Sequence, residues 1–117
     1  MGAVGFDCVG FGNDVEDAFN NARAQAQYDY GHAGYTGTIA EKNSFVEFKC
    51  PDGIEPNYFV DVAMAAEYER PEREKLFELI GAISAQDLLN ISYDKWGPCV
   101  AVRLDSKQWV FFGSASC

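Results

Sequence analysis

Apolar and polar positions alternate along Gly2–Gly12. Val4, Phe6, Cys8 and Gly10 face one way, and Gly5, Asp7, Val9 and Phe11 the other. That period, carried by β-branched and aromatic residues, predicts a strand. The period then lengthens: Val15, Ala18, Phe19, Ala22, Ala26 and Tyr30 recur at helical spacing and define one apolar stripe. Asn13 and Glu16 suit a capping box ahead of that helix, and Gly31 suits the left-handed residue behind it. The alanines keep the stripe thin, so the helix can lie close on a sheet.

Thr36–Glu41 reads as extended chain, Lys42–Ser44 as a polar turn and Phe45–Cys50 as the returning strand of a hairpin. Pro51-Asp52-Gly53 stops that strand through turn chemistry. Pro56 fits the first turn of a helix whose inner face is Phe59, Val62, Ala63 and Ala66, and Pro71 opens another lined by Leu76, Phe77, Ile80 and Ile83. Ser84–Asp87 looks like a cap for a short helical turn through Leu88 and Leu89. A second hairpin follows. Val100, Val102 and Leu104 alternate with polar or small residues, Asp105–Gln108 turn the chain, and Trp109–Gly113 returns. The returning strand is apolar on both faces, which predicts a central place in the sheet. The whole pattern predicts one α+β domain over residues 1–117. Its mostly antiparallel sheet of about five strands follows a β-α-β-β-α-α-β-β path, with helices packed on one face.

Composition narrows the function classes. The chain has 117 residues, 48% of them apolar and 15% aromatic, enough for a single core without metal or disulfide support. No apolar run approaches the length of a membrane span, and Met1–Cys8 lacks the basic and apolar regions of a signal peptide, so the expectation is a soluble protein of the cytosol. Cys8, Cys50, Cys99 and Cys117 are widely and unevenly spaced, without the paired knuckles of a zinc ribbon. They are expected to be reduced, mostly buried thiols, with Cys117 exposed. No metal and no cofactor is expected.

A net charge of -9 would repel a phosphate backbone, so direct nucleic-acid binding is not expected. The same charge can attract a protein that itself grips nucleic acid, by presenting carboxylates where that partner meets phosphates. The carboxylates concentrate between Asp52 and Asp94, which makes Glu67, Glu69, Glu72, Glu74 and Glu78 the candidate partner-binding residues. Plain solubility is the commoner use of such a charge.

The segment with the densest candidate chemistry is Tyr28–Lys42, Y-D-Y-G-H-A-G-Y-T-G-T-I-A-E-K, which contains the one histidine of the chain. Gly31, Gly34 and Gly37 would let the backbone bend sharply, so that His32, Tyr35, Thr36, Thr38 and Glu41 could converge on a small ligand, for example a nucleotide. A phosphate cradle is disfavoured, because the segment follows a helix C-terminus and phosphates sit at N-termini. His32 is more often a structural loop histidine than a general base, and Glu41–Lys42 more often an exposed pair at a turn. Asp14, Glu16 and Asp17 crowd a helix start, which the helix dipole favours without a metal. With a single histidine and no nucleophile–base order, no catalytic residue is assigned.

G-H-A-G-Y-T-G-T-I-A-E-K at residues 31–42, with K-W-G-P-C-V-A-V at 95–102 and W-V-F-F-G-S-A-S at 109–116, resembles small bacteriophage-encoded proteins. The likeness covers roughly residues 28–42 and 95–116 and carries a setting rather than a catalytic residue. It implies a viral gene product in a bacterial cytosol, where small acidic phage proteins include inhibitors of anti-CRISPR and anti-restriction type. The leading expectation is therefore an acidic interaction protein that binds and inhibits a host defence protein. The alternative is a small-ligand or nucleotide-binding protein using the 31–41 loop.

Overall fold

A computed structural model describes residues 2–31 and 34–117. It is an α+β domain in which one four-stranded sheet, ordered β1-β4-β3-β2, carries helices on both faces. The strands are β1 (Ala3–Phe11), β2 (Phe45–Glu47), β3 (Cys99–Arg103) and β4 (Gln108–Ser116). The helices are α1 (Val15–Tyr30), α2 (Pro56–Ala65), α3 (Arg70–Ile80) and α4 (Ala82–Tyr93).

The apolar period of β4 explains the layering. Val110 and Phe112 join Val100 and Val102 in a core roofed by Phe59, Val62, Leu76 and Leu88 of α2–α4. Trp109 and Phe111 join Cys99 and Ala101 on the opposite face, under Ala18, Phe19, Ala22 and Ala26 of α1. A strand apolar on both faces needs cover on both, so the expected single layer of helices becomes two. The central position read for β4 holds: it pairs antiparallel with β1 on one side and β3 on the other.

The expected first hairpin is absent. β2 pairs parallel with β3, because three helices cross over between them, and Thr36–Glu41 contributes a loop ending in a 3-10 turn at Ile39–Glu41. That change removes one of the expected strands. Glycine at position 10 sets the spacing of α1 over the sheet: a Cβ there would lie 2.4 Å from the Ala18 carbonyl oxygen. Asp14, one residue beyond the expected Asn13, caps α1 by accepting from the Asp17 N–H at 2.8 Å. Tyr30, expected in the stripe, is exposed. Ser84 caps nothing; α4 starts directly after Gly81, whose φ of 86° breaks the chain from α3, and runs three turns rather than one.

Candidate functional site

The loop after α1 is held by its own side chains. Gly34, Tyr35 and Gly37 all have positive φ, at 80°, 55° and 71°. For tyrosine that conformation costs about 1–2 kcal/mol, so something must enforce it. Glu41 does so: its Oε2 accepts from the Thr36 N–H at 3.1 Å and from the Thr36 hydroxyl at 2.8 Å. With that proton committed, the Thr38 hydroxyl donates to Thr36 Oγ1 at 2.8 Å and accepts from the Ala40 N–H, which caps the 3-10 turn. The Gly37 N–H donates to the Ser116 carbonyl at 2.8 Å and ties the loop to β4. Burial pushes the Glu41 carboxyl upward, but the Thr36 and Tyr35 N–H groups, the Thr36 hydroxyl and the Arg23 charge outweigh it and hold the pKa below the ordinary 4.5.

This arrangement has a pH signature. A carboxylate with a depressed folded pKa contributes stability that is present above pH 4.5 and lost as pH falls through the folded value. Glu41→Gln should therefore be less stable than wild type at neutral pH. That difference should shrink on acidification below 4.5, as read by urea denaturation across pH. A difference independent of pH would contradict the hydrogen-bonding role.

Lys42, the next residue, is only 1% exposed. Its Nζ donates to the carbonyls of Asp94 at 2.9 Å and Gly97 at 3.0 Å, within the loop between α4 and β3. Burial lowers its pKa from 10.5, against the opposing influence of Cys99 and Asp94. Asp94 closes the same loop from within by accepting from the Trp96 N–H at 2.9 Å. Trp96 itself stands 64% exposed.

Consecutive residues thus brace two loops from beneath, and each loop displays one aromatic ring. Tyr35 meets Trp96 edge-on, with ring centroids 6.5 Å apart and planes at 86°. The Lys95 ammonium lies 5.0 Å from the Trp96 ring centre. Through Lys95 the pair adjoins a shallow depression of about 570 Å³ whose rim includes Val4, Tyr68 and Tyr93, all exposed. Isolated exposed aromatics are ordinary; a cluster held on braced loops is a feature of recognition surfaces.

The residues assigned from sequence divide. His32 lies outside the described residues. Thr36, Thr38 and Glu41 come together, but they are engaged with one another, so their hydrogen-bonding capacity serves the loop. Tyr35 projects from it. Glu41 and Lys42 are not an exposed ion pair: one bonds Thr36 and the other is buried under Asp94 and Gly97. The acidic candidates follow one another from the end of α2 through α3, interspersed with cations. Glu72 pairs with Lys75 at 2.8 Å and Glu74 with Arg70 at 3.5 Å. Glu67 is half-buried, with its carboxyl pushed up by burial, and Glu69 and Glu78 are exposed. Trp96, Tyr68 and Tyr93 were not singled out by sequence, although the apolar ring of Trp96 in a Lys-Trp-Gly-Pro turn has no strand or helix period to bury it.

Cys99 is buried and Cys8 half-buried. Burial raises Cys8 to about 11 and Cys99 to about 12, with Asp7 adding to the first and Lys42 opposing the second, so both are thiols at neutral pH. Among the described residues no group of His, Cys, Asp or Glu is arranged to hold a metal ion, and no helix is long and apolar enough to cross a membrane. The comparisons with known proteins return no matching family model, no matching curated protein and no matching solved structure.

Proposed function

We propose that this chain is a non-catalytic interaction protein that binds and blocks a cationic surface of a host protein, with Tyr35 and Trp96 as its aromatic anchors. The observation that carries the proposal is the bracing of those two exposed rings by Glu41 and Lys42. Pre-organised Tyr and Trp side chains lose little entropy on docking and dominate the energetics of many interfaces. The net charge of -9 supplies the long-range term, drawing a basic partner toward the surface. Within Glu67–Glu78 the ion pairs to Arg70 and Lys75 reduce the local field, so those carboxylates act as diffuse steering rather than as fixed contacts. The resemblance to bacteriophage-encoded proteins supplies the setting, a bacterial host whose defence proteins grip nucleic acid through basic surfaces.

The test is quantitative capture of a host protein by immobilised wild type, Tyr35→Ala and Trp96→Ala, at low and high salt. Each substitution should weaken capture by roughly 30-fold or more, the size of an interface hot spot, while the melting temperature stays near wild type because both rings are exposed. Higher salt should weaken capture by wild type through screening. Equal capture by all three proteins, or no saturable capture by wild type, would overturn the proposal.

A further inference from the structure

The two edges of the sheet are not alike. β2 is a three-residue edge, too short to template another strand, whereas β1 presents nine residues. Natural edges of that length are blunted by charged side chains, proline or a bulge; β1 carries a single charge, Asp7, and no lysine, proline or bulge in its run A-V-G-F-D-C-V-G-F. The hydrogen bonds Gly2–Cys117 and Gly12–Lys107 fix the phase of the ladder. By the antiparallel alternation, Val4, Phe6, Cys8 and Gly10 bond β4, so Ala3, Gly5, Asp7, Val9 and Phe11 turn their N–H and C=O groups outward. Asn21 closes one end by donating to the Phe11 carbonyl at 2.8 Å. From Ala3 to Val9 no hydrogen bond from another described residue reaches the outward groups.

A groove of about 470 Å³ runs along this open stretch. The consecutive residues Gly5–Val9 line it, which a strand does along its edge rather than from one face alone. Its far wall is the C-terminal half of α1, with Ala22, Gln25, Ala26 and Asp29, and it closes at Gly37–Ile39. The wedge exists because α1 is pinned on the sheet at Gly10, where helix and strand backbones touch. A free strand edge beside a helix is the geometry in which proteins take up an extended peptide as an added strand.

Charge selects the peptide. Asp7 and Asp29 line the groove and no described Lys, Arg or His does. Asp7 points to one face of the sheet, and Asp29 lies on the other, the α1 side, where among the described residues its carboxylate accepts only from the neighbouring Gln25 amide. A second copy of the chain is disfavoured: two-fold antiparallel pairing of β1 with itself sets the two Asp7 carboxylates opposite or diagonal to each other on one face. We infer that the β1–α1 groove binds an extended, basic segment of a partner protein as a fifth strand, with Lys or Arg side chains toward Asp7 and Asp29. The groove is a site separate from the Tyr35–Trp96 anchors, so the two proposals fail independently.

The probe is a synthetic peptide alternating arginine and valine, with glutamate replacing arginine in a control peptide. Amide exchange by NMR should show the N–H groups of Gly5, Asp7 and Val9 gaining protection on addition of the basic peptide, while Phe6 and Cys8, already bonded to β4, change little. Val9→Pro removes an outward N–H at an edge position that tolerates proline and should weaken binding at least tenfold. Asp7→Lys tests the same edge through charge should Val9→Pro perturb the strand, and it should also weaken binding at least tenfold. Tyr35→Ala and Trp96→Ala should leave peptide binding unchanged. Absence of binding, equal binding of the acidic control, or binding without the alternating protection overturns the inference. A wild-type dimer that Val9→Pro converts to monomer also overturns it, because a second copy then occupies the edge.

Discussion

Gly10→Ala should lower the stability of the domain by about 3 kcal/mol, the upper end of the usual cost of overpacking. The added Cβ would meet the Ala18 carbonyl oxygen at 2.4 Å, the Phe111 ring at 2.8 Å and the Ala18 carbonyl carbon at 3.0 Å. Two of those contacts are helix backbone, which has no rotamer to change, so α1 must lift from the sheet. Lifting it loosens Ala18, Phe19 and Ala22 from Phe111 and Ala101, the core of that face. Gly5→Ala is the control. Its Cβ would meet the Tyr68 hydroxyl at 3.6 Å, an ordinary contact, so little change is expected. Urea denaturation of the two variants measures the contrast through their midpoints.

Lys42→Ala should cost a similar amount, about 3 kcal/mol, for a different reason. It strips the Asp94 and Gly97 carbonyls of the ammonium that satisfies them and leaves a cavity where the four-carbon stem lay. Lys42→Met keeps most of the stem and should lose less, so the difference between the two variants separates packing from hydrogen bonding. The pH dependence has a defined sign. Because burial holds the folded pKa below 10.5, the unfolded chain binds more protons between the two values, and the contribution of Lys42 to stability rises with pH across that window. The raised thiols of Cys8 and Cys99 act oppositely, their contribution falling above pH 9.0. Lys42→Met should therefore lack the rising component and decline more steeply above pH 9.0 than wild type.

Much of the fold was legible in the local period of the chain. The alternation in Gly2–Gly12 and Val100–Gly113, the thin alanine stripe of α1 and the prolines opening α2 and α3 all reappear as strands and helices. What local period leaves open is which face of a strand is covered by which distant element. β4 advertised two apolar faces, yet the helices placed on both of them are far apart in sequence. Thr36–Glu41 misled for a related reason. Its threonines and isoleucine have strand propensity, but a carboxylate five residues from Thr36 offered a local bonding scheme that stopped the chain from extending. Lys42 was the hardest to read. Burial of a lysine depends on two carbonyls more than fifty residues away, which composition and spacing do not report. The exposed aromatic pair was half legible: Tyr35 stood out among glycines, whereas Trp96 became part of it only where the two loops met.

The most direct measurement is hydrogen–deuterium exchange on the chain alone and in the proposed complex with a host protein. Residues 34–42 and 93–98 should both gain protection in the complex, because Tyr35 and Trp96 dock together on loops already held by Glu41 and Lys42. Protection confined to residues 67–78, with the two aromatic loops exchanging as in the free protein, would contradict the aromatic-anchor proposal and return the interface to the acidic helices.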